Sequence, residues 1–150
     1  MRLLVLCTHN SARSQMAEGW LRHYAAAFGL EAEVFSAGTE KTFVKLDAVT
    51  VMNEVGIDLS GHSSKTLDDL PDMWNFDVVL TVCDSANVAC PTYPAQTIRL
   101  HVTFPDPTGE PLETWRTVRD TVGATCKQLI CTLKESDKPS EESLEAQGTP

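Results

Sequence analysis

The residues with the most chemical potential lie together in Cys7-Thr8-His9-Asn10-Ser11-Ala12-Arg13-Ser14. Cys7 supplies a nucleophile. Arg13 can hold an oxyanion through two parallel N–H bonds, where a lysine offers only a point charge. The apolar run Leu3-Leu4-Val5-Leu6 precedes them and suits a short buried strand. Met16, Ala17, Trp20, Leu21, Tyr24, Ala25 and Phe28 follow at helical spacing. The stretch is therefore expected to form a tight loop from a strand into a helix N-terminus. Backbone N–H groups and the helix dipole converge there on one spot, which fits a tetrahedral oxyanion. On this reading Thr8, His9, Asn10, Ser11, Ala12, Arg13 and Ser14 bind the substrate. The helix N-terminus and Arg13 are expected to lower the Cys7 pKa toward the thiolate, with Ser14 donating a hydrogen bond to it. Asn10 is a residue type that accepts the left-handed backbone a closed anion loop needs. The His9 side chain reads as exposed.

Two further cysteines, Cys83 and Cys90, stand seven positions apart, the second followed by Pro91. On a helix that spacing is roughly 10.5 Å along the axis. A disulfide needs Cα atoms within about 7 Å, so the two can pair only if the segment unwinds. From spacing alone, two buried thiols that never react are an equally open reading. Structural zinc is disfavoured, because it needs four ligands with closely spaced cysteine pairs. Cys126 falls on an apolar helical stripe and Cys131 nearly opposite it, which makes the first a core residue and the second exposed. Asp106, before Pro107, suits a general acid that protonates a leaving oxygen; the competing reading is an N-cap for a short turn. His23, His62 and His101 show no ligand spacing. Trp20, Tyr24 and Phe28 fit core packing.

These groups need a scaffold, and the rest of the chain reads as alternating strands and helices. Strands are expected at Glu33–Ser36, Phe76–Val82 and, more weakly, Thr97–Val102. A helix is expected from Leu46 to Val55 with Gly56 as its stop, and a short one at Lys65–Leu70. A last helix carries Leu112, Trp115, Val118, Val122, Leu129 and Leu133. The expectation is an α/β fold, a four-stranded parallel sheet with helices on both faces. In such sheets sites gather beyond the carboxyl ends of the strands, where Cys7, Cys83 and Asp106 all fall. Residues 1–134 read as one domain and 135–150 as a disordered tail, whose five acidic residues face one lysine, Lys138. A net charge of −9 over 150 residues argues against nucleic acid and against an anionic membrane surface. With no membrane-length apolar stretch and no signal peptide, a cytoplasmic protein is expected. Its five cysteines then point to chemistry rather than a disulfide framework. A monomer is expected, because no apolar stripe is left over for a partner.

Taken together, the chain resembles the thioredoxin-coupled arsenate reductases, which share the low-molecular-weight protein tyrosine phosphatase fold. The resemblance covers about residues 1–134. It runs through Cys7 to Glu18, Ser36-Ala37-Gly38, Gly56-Ile57-Asp58-Leu59-Ser60-Gly61-His62, the Cys83/Cys90-Pro91 segment and Asp106-Pro107. It implies that Cys7 attacks arsenate held by the loop and Arg13 while Asp106 assists the leaving oxygen. Cys83 then attacks the adduct and releases arsenite, and Cys90 resolves the Cys7–Cys83 disulfide into a Cys83–Cys90 bridge. Unwinding of that segment presents the bridge to thioredoxin, so no dissociable cofactor is needed. Many relatives have glycine where His9 stands. Some bind potassium near the loop, and Asn10, Glu18 and Ser36 match ligand positions. The remaining ligand, an aspartate in those relatives, aligns with Lys65, whose ammonium would repel a cation, so no metal is expected. The alternative is a tyrosine phosphatase using Cys7, Arg13 and Asp106 alone. It has no use for Cys83 and Cys90, and it would favour aromatic residues where Thr108-Gly109 follow the Asp-Pro. Attack by a small external thiol and a non-catalytic oxyanion sensor are disfavoured by the complete set of cysteines, arginine and acid.

Overall fold

The N-terminal apolar run forms β1, Arg2–Cys7, in the computed structural model, which describes residues 1–136. Leu3, Leu4, Val5 and Leu6 are all buried. Because successive side chains of a strand point to opposite faces, the sheet is covered on both sides at β1. The other strands are β2 (Glu33–Gly38), β3 (Val78–Thr81) and β4 (Ile98–His101). All pair in parallel, in the order β2-β1-β3-β4. This is the expected four-stranded parallel sheet, with β3 and β4 trimmed at both ends.

The helices are α1 (Arg13–Phe28), α2 (Leu46–Glu54), α3 (Asp84–Ala89) and α4 (Leu112–Ser136). Helix α1 stops at Gly29, which takes the left-handed conformation (φ 71°) while Leu30 N–H reaches back to the Ala25 carbonyl. Helix α1 packs on α4, and α2 packs against both. The tightest approach is at Gly123, where a Cβ would sit 2.7 Å from the Trp20 ring. The buried seam of α4 is Trp115, Val118, Val122, Cys126, Ile130 and Leu133. Ile130 thus takes the fully buried place expected for Leu129, and Leu112 is partly exposed. Only a 3₁₀ turn, Leu67–Asp69, forms where a short helix was expected. Helix α4 runs two residues beyond the expected domain end, and the acidic stretch from residue 137 lies outside the described residues. Among the described residues no helix is long and apolar enough to cross a membrane.

The strand order places the functional region. From β1 the chain moves outward to β2, then returns to place β3 on the other side of β1. Loops leaving β1 and β3 therefore diverge and open a crevice at the carboxyl ends of these two strands. Cys7 ends one of them and Cys83 lies two residues past the other.

Candidate active site

The loop between β1 and α1 is built to present backbone donors. Ala12, the N-cap of α1, offers no side-chain cap, and the first intrahelical bond runs from Met16 N–H to the Ala12 carbonyl. The N–H groups of Arg13, Ser14 and Gln15 precede that ladder and are the ones an anion can cap. Asn10 turns the loop in the left-handed region (φ 51°) and is fully buried. Its amide is used completely. Nδ2 donates to Ser14 Oγ and Ser36 Oγ, each at 2.9 Å, and Oδ1 accepts from Gln15 Nε2 and from Lys65 N–H. Gly38, paired with Cys7 across the sheet, lets the loop lean on β2, since a Cβ there would lie 2.5 Å from the Thr8 carbonyl oxygen.

Beneath the loop, Ser36 donates to the buried Glu18 carboxylate, which also faces Arg22 at 3.0 Å, His62 at 3.4 Å and Lys65 Nζ at 3.8 Å. Burial lowers the Lys65 and His62 pKa values, with Glu18 opposing in both cases. The donor set around Asn10, Glu18 and Ser36 does not fit an added cation. Asn10 Oδ1 is saturated, and Arg22 and Lys65 already neutralise Glu18.

Arg13 lies at the wall of the site with one Nη donating to the Phe104 carbonyl at 3.0 Å and the other 3.7 Å from Asp106 Oδ2. Among the described residues its Nε is buried without a hydrogen-bond partner, an unmet donor beside the loop. Asp106 takes up the turn-capping place that was its competing reading. Oδ1 accepts from the Thr108 N–H and hydroxyl and builds a turn, leaving Oδ2 toward Arg13. Burial raises its pKa, but the Thr108 hydrogen bonds and the charges of Arg13 and Lys45 outweigh that and hold it below the ordinary carboxylate value. The expected acid is thus a carboxylate at neutral pH and must take up a proton before donating one. A cleft of about 240 Å³ lies over the loop, lined by Cys7, His9, Ser11, Ala12, Arg13, Thr42, Lys45, Asp106 and Thr108.

Cys7 differs from its expected state. Burial pushes its thiol up to about 11 from the usual 9.0, against the pull of Arg13, and the neighbouring Cys83 adds to the rise. Desolvation at the end of a strand buried on both faces outweighs the arginine. Among the described residues no hydrogen bond joins Ser14 to Cys7. Ser14 Oγ instead accepts from Asn10. Cys83 caps α3: its sulfur accepts from Ala86 N–H at 3.4 Å and lies 3.3 Å from Thr8 Oγ1. Burial raises its pKa too, but those two bonds, one from Cys7 and the field of Arg13 bring it below the ordinary value. Cys7 therefore holds the proton that Cys83 leans on. Cys90, at the other end of α3, is pushed up by burial, with Arg99 opposing. The five cysteines are all free. Cys126 is a core thiol and Cys131 is exposed, as expected.

The sequence matches the family model of the low molecular weight phosphotyrosine protein phosphatases over residues 2–139. The chain belongs to this family. Among its relatives is an arsenate reductase of Brevibacillus brevis, 44% identical over 125 residues, spanning 83% of this chain and 90% of the relative. Among solved structures, an arsenate reductase in the oxidised state superposes with a TM-score of 0.72 at 34% identity, covering 87% of this chain and 96% of its own. A low molecular weight protein tyrosine phosphatase from T. tengcongensis superposes with a TM-score of 0.75 at 30% identity, covering 87% and 97%.

For this member of the phosphatase family, the structure brings the expected Cys7, Arg13, Asp106 and Cys83 to one crevice, with Cys90 at the far end of α3. The His9 side chain turns outward to Glu40 at 3.0 Å. Thr42 and Lys45 were missed. They reach the cleft from the segment before α2, which is tied down by Lys45 N–H donating to the Ser11 carbonyl. Their only sequence signal is a basic residue just ahead of a helix. His101, which shows no ligand spacing in the sequence, stands 3.0 Å from Asp84, next to Cys83.

Proposed function

We propose that this protein reduces arsenate to arsenite through a relay of Cys7, Cys83 and Cys90, with thioredoxin restoring the thiols. The observation that carries this reading is the pairing of two thiols, Cys7 and Cys83, beside an arginine with a buried unpartnered Nε. Oxyanion binding alone accounts for Cys7 and Arg13 but not for a second thiol beside them. The relatives described as arsenate reductases support the substrate, and the small cleft walled by Thr42 and Thr108 rather than aromatic rings suits an inorganic ion.

In the first step the Cys7 sulfur attacks hydrogen arsenate and a sulfur–arsenic bond forms. The thiol proton joins the departing hydroxyl as water, passed through the Asp106 carboxylate. Arg13 and the N–H groups of the loop hold the remaining oxygens as charge redistributes. In the second step the Cys83 thiolate attacks the Cys7 sulfur. The sulfur–arsenic bond breaks, its electron pair leaves with arsenic as arsenite, and a Cys7–Cys83 disulfide remains. In the third step Cys90 attacks Cys83, and its proton goes to Cys7. Unwinding of α3 carries Cys90 the distance this needs. A dithiol of thioredoxin then reduces the Cys83–Cys90 bridge. The reading includes a cytoplasmic monomer whose partners are arsenate and thioredoxin, with no metal or dissociable cofactor.

NADPH consumption with arsenate, thioredoxin and thioredoxin reductase tests it. Wild type should turn over repeatedly, and Cys83→Ser and Cys90→Ser should each abolish turnover. Efficient hydrolysis of an aryl phosphate without any NADPH consumption would replace this reading with the phosphatase.

A further inference from the structure

Helix α3 has six residues, too few to stay wound on its own propensity in water. Its winding depends on what grips it, and edge strand β4 with the residues just after it grips it at two places. At its first residue, the Asp84 carboxylate accepts from Thr103 Oγ1 at 2.8 Å and lies 3.0 Å from His101 Nε2. His101 Nδ1 is in turn 2.7 Å from the hydroxyl of Thr81, a buried residue of β3. A neutral imidazole with its proton on Nε2 satisfies this chain, donating to Asp84 and accepting from Thr81. The bonds from Thr103 and His101 also hold the Asp84 carboxyl below its ordinary pKa. One turn further on, Arg99 donates to the backbone carbonyl of Asn87 and, at 3.1 Å, to its side-chain oxygen. None of His101, Thr103 and Arg99 lines the oxyanion cleft.

We infer that His101, Thr103 and Arg99 form a latch on α3 that keeps Cys83 presented to Cys7 and sets the cost of the unwinding that joins Cys83 to Cys90. This rests on the relay reading and deepens it. The three are positioning residues, because they act on α3 through their bonds to Asp84 and Asn87. With the latch closed, the Cys83 sulfur caps the helix beside Thr8 and Cys7, where the second step needs it. With the latch open, Asp84 and Asn87 lose their bonds to His101, Thr103 and Arg99, and the segment can shorten. A sulfur–sulfur bond then forms between Cys83 and Cys90, and the Cys83 bond to Cys7 breaks. In a redox buffer the same bridge forms as the two thiols give two electrons and two protons to the oxidised buffer.

The test uses Cys7→Ser protein, in which Cys83 and Cys90 are the pair the relay would bridge. It is equilibrated at pH 7 with mixtures of reduced and oxidised dithiothreitol, and the bridged fraction is read by mass after alkylation. A His101→Phe/Thr103→Val double variant and a separate Arg99→Met variant are compared with it. Each should raise the equilibrium constant for the bridge about tenfold, a shift of about 30 mV to more negative potential. Arg99 also faces the Cys90 sulfur, but the thiol is protonated at this pH, so the equilibrium reports the tie to Asn87. Phosphate binding by the same variants with Cys7 intact should not change, which separates the latch from a general loosening of the fold. Constants within twofold of the parent in both variants, with native circular dichroism, would overturn the latch. If the parent itself forms no Cys83–Cys90 bridge in any mixture, the relay reading fails, and the latch with it.

Discussion

Burial holds the Cys7 thiol at about 11 and the Cys126 thiol at about 12, against 9.0 for an ordinary cysteine. Each binds its proton more tightly folded than unfolded. The stabilisation is therefore complete below about pH 9 and is lost as pH climbs through the folded values. For Cys7 the two-unit rise corresponds to about 3 kcal/mol. Urea unfolding should thus give a stability that changes little between about pH 7 and 8 and falls between about pH 9 and 11. Cys7→Ala should flatten the earlier part of that fall, and an unchanged slope would show that Cys7 is not its source. This proton was not legible in the sequence. The loop's residue types were: a cysteine, an asparagine and an arginine at their spacing pointed to an oxyanion, and Asn10 adopts the left-handed turn expected of it. What spacing could not weigh was desolvation against attraction, because it does not reveal that Cys7 ends a strand covered on both faces.

The contact between α1 and α4 is drawn in by Gly123, which meets the edge of the Trp20 ring. That ring has little room to yield, being bonded through Nε1 to the Arg119 carbonyl at 3.0 Å and stacked on Tyr24 at 5.4 Å between centroids. Gly123→Ala gains about 1 kcal/mol of helix propensity but adds an overpacking cost of about 1–3 kcal/mol. It should lower stability by up to about 2 kcal/mol, read as a reduced urea midpoint with unchanged m-value. A rise in the midpoint would mean that the ring can move aside. The elements themselves were well marked in the sequence: the unbroken apolar run of β1 reads as a doubly covered strand, and Gly56 stops α2 as expected, with φ 81°. The α4 stripe was displaced by one residue at Ile130, since 3.6 residues per turn drifts around a 25-residue helix and periodicity does not say which drift the neighbours follow. The ties from β4 to α3 left no trace in spacing. His101 and Asp84 are 17 residues apart, and only the parallel placement of β3 beside β4 brings them together.

The sheet order explains why one site could be foreseen from segments far apart in the chain, since the loops that leave the strands at one end must share that end. The net charge of −9 gives an anion no general welcome, so its affinity must come from the loop. That loop is fastened on every side: to Ser36 and Lys65 through Asn10, to Glu40 N–H through the Thr8 carbonyl, and to Lys45 N–H through the Ser11 carbonyl. Its ordering entropy is spent when the protein folds, which leaves little for the ligand to organise. The thermodynamic signature follows from that. Calorimetric titration with phosphate at several temperatures should give a binding enthalpy almost independent of temperature, because an inorganic ion buries little apolar surface and recruits no segment. A large negative heat-capacity change would reveal that part of the loop folds around its guest. A flat enthalpy would mark the loop as a mould cast before the ion arrives, one that selects by radius and charge and is indifferent to the temperature at which it is filled.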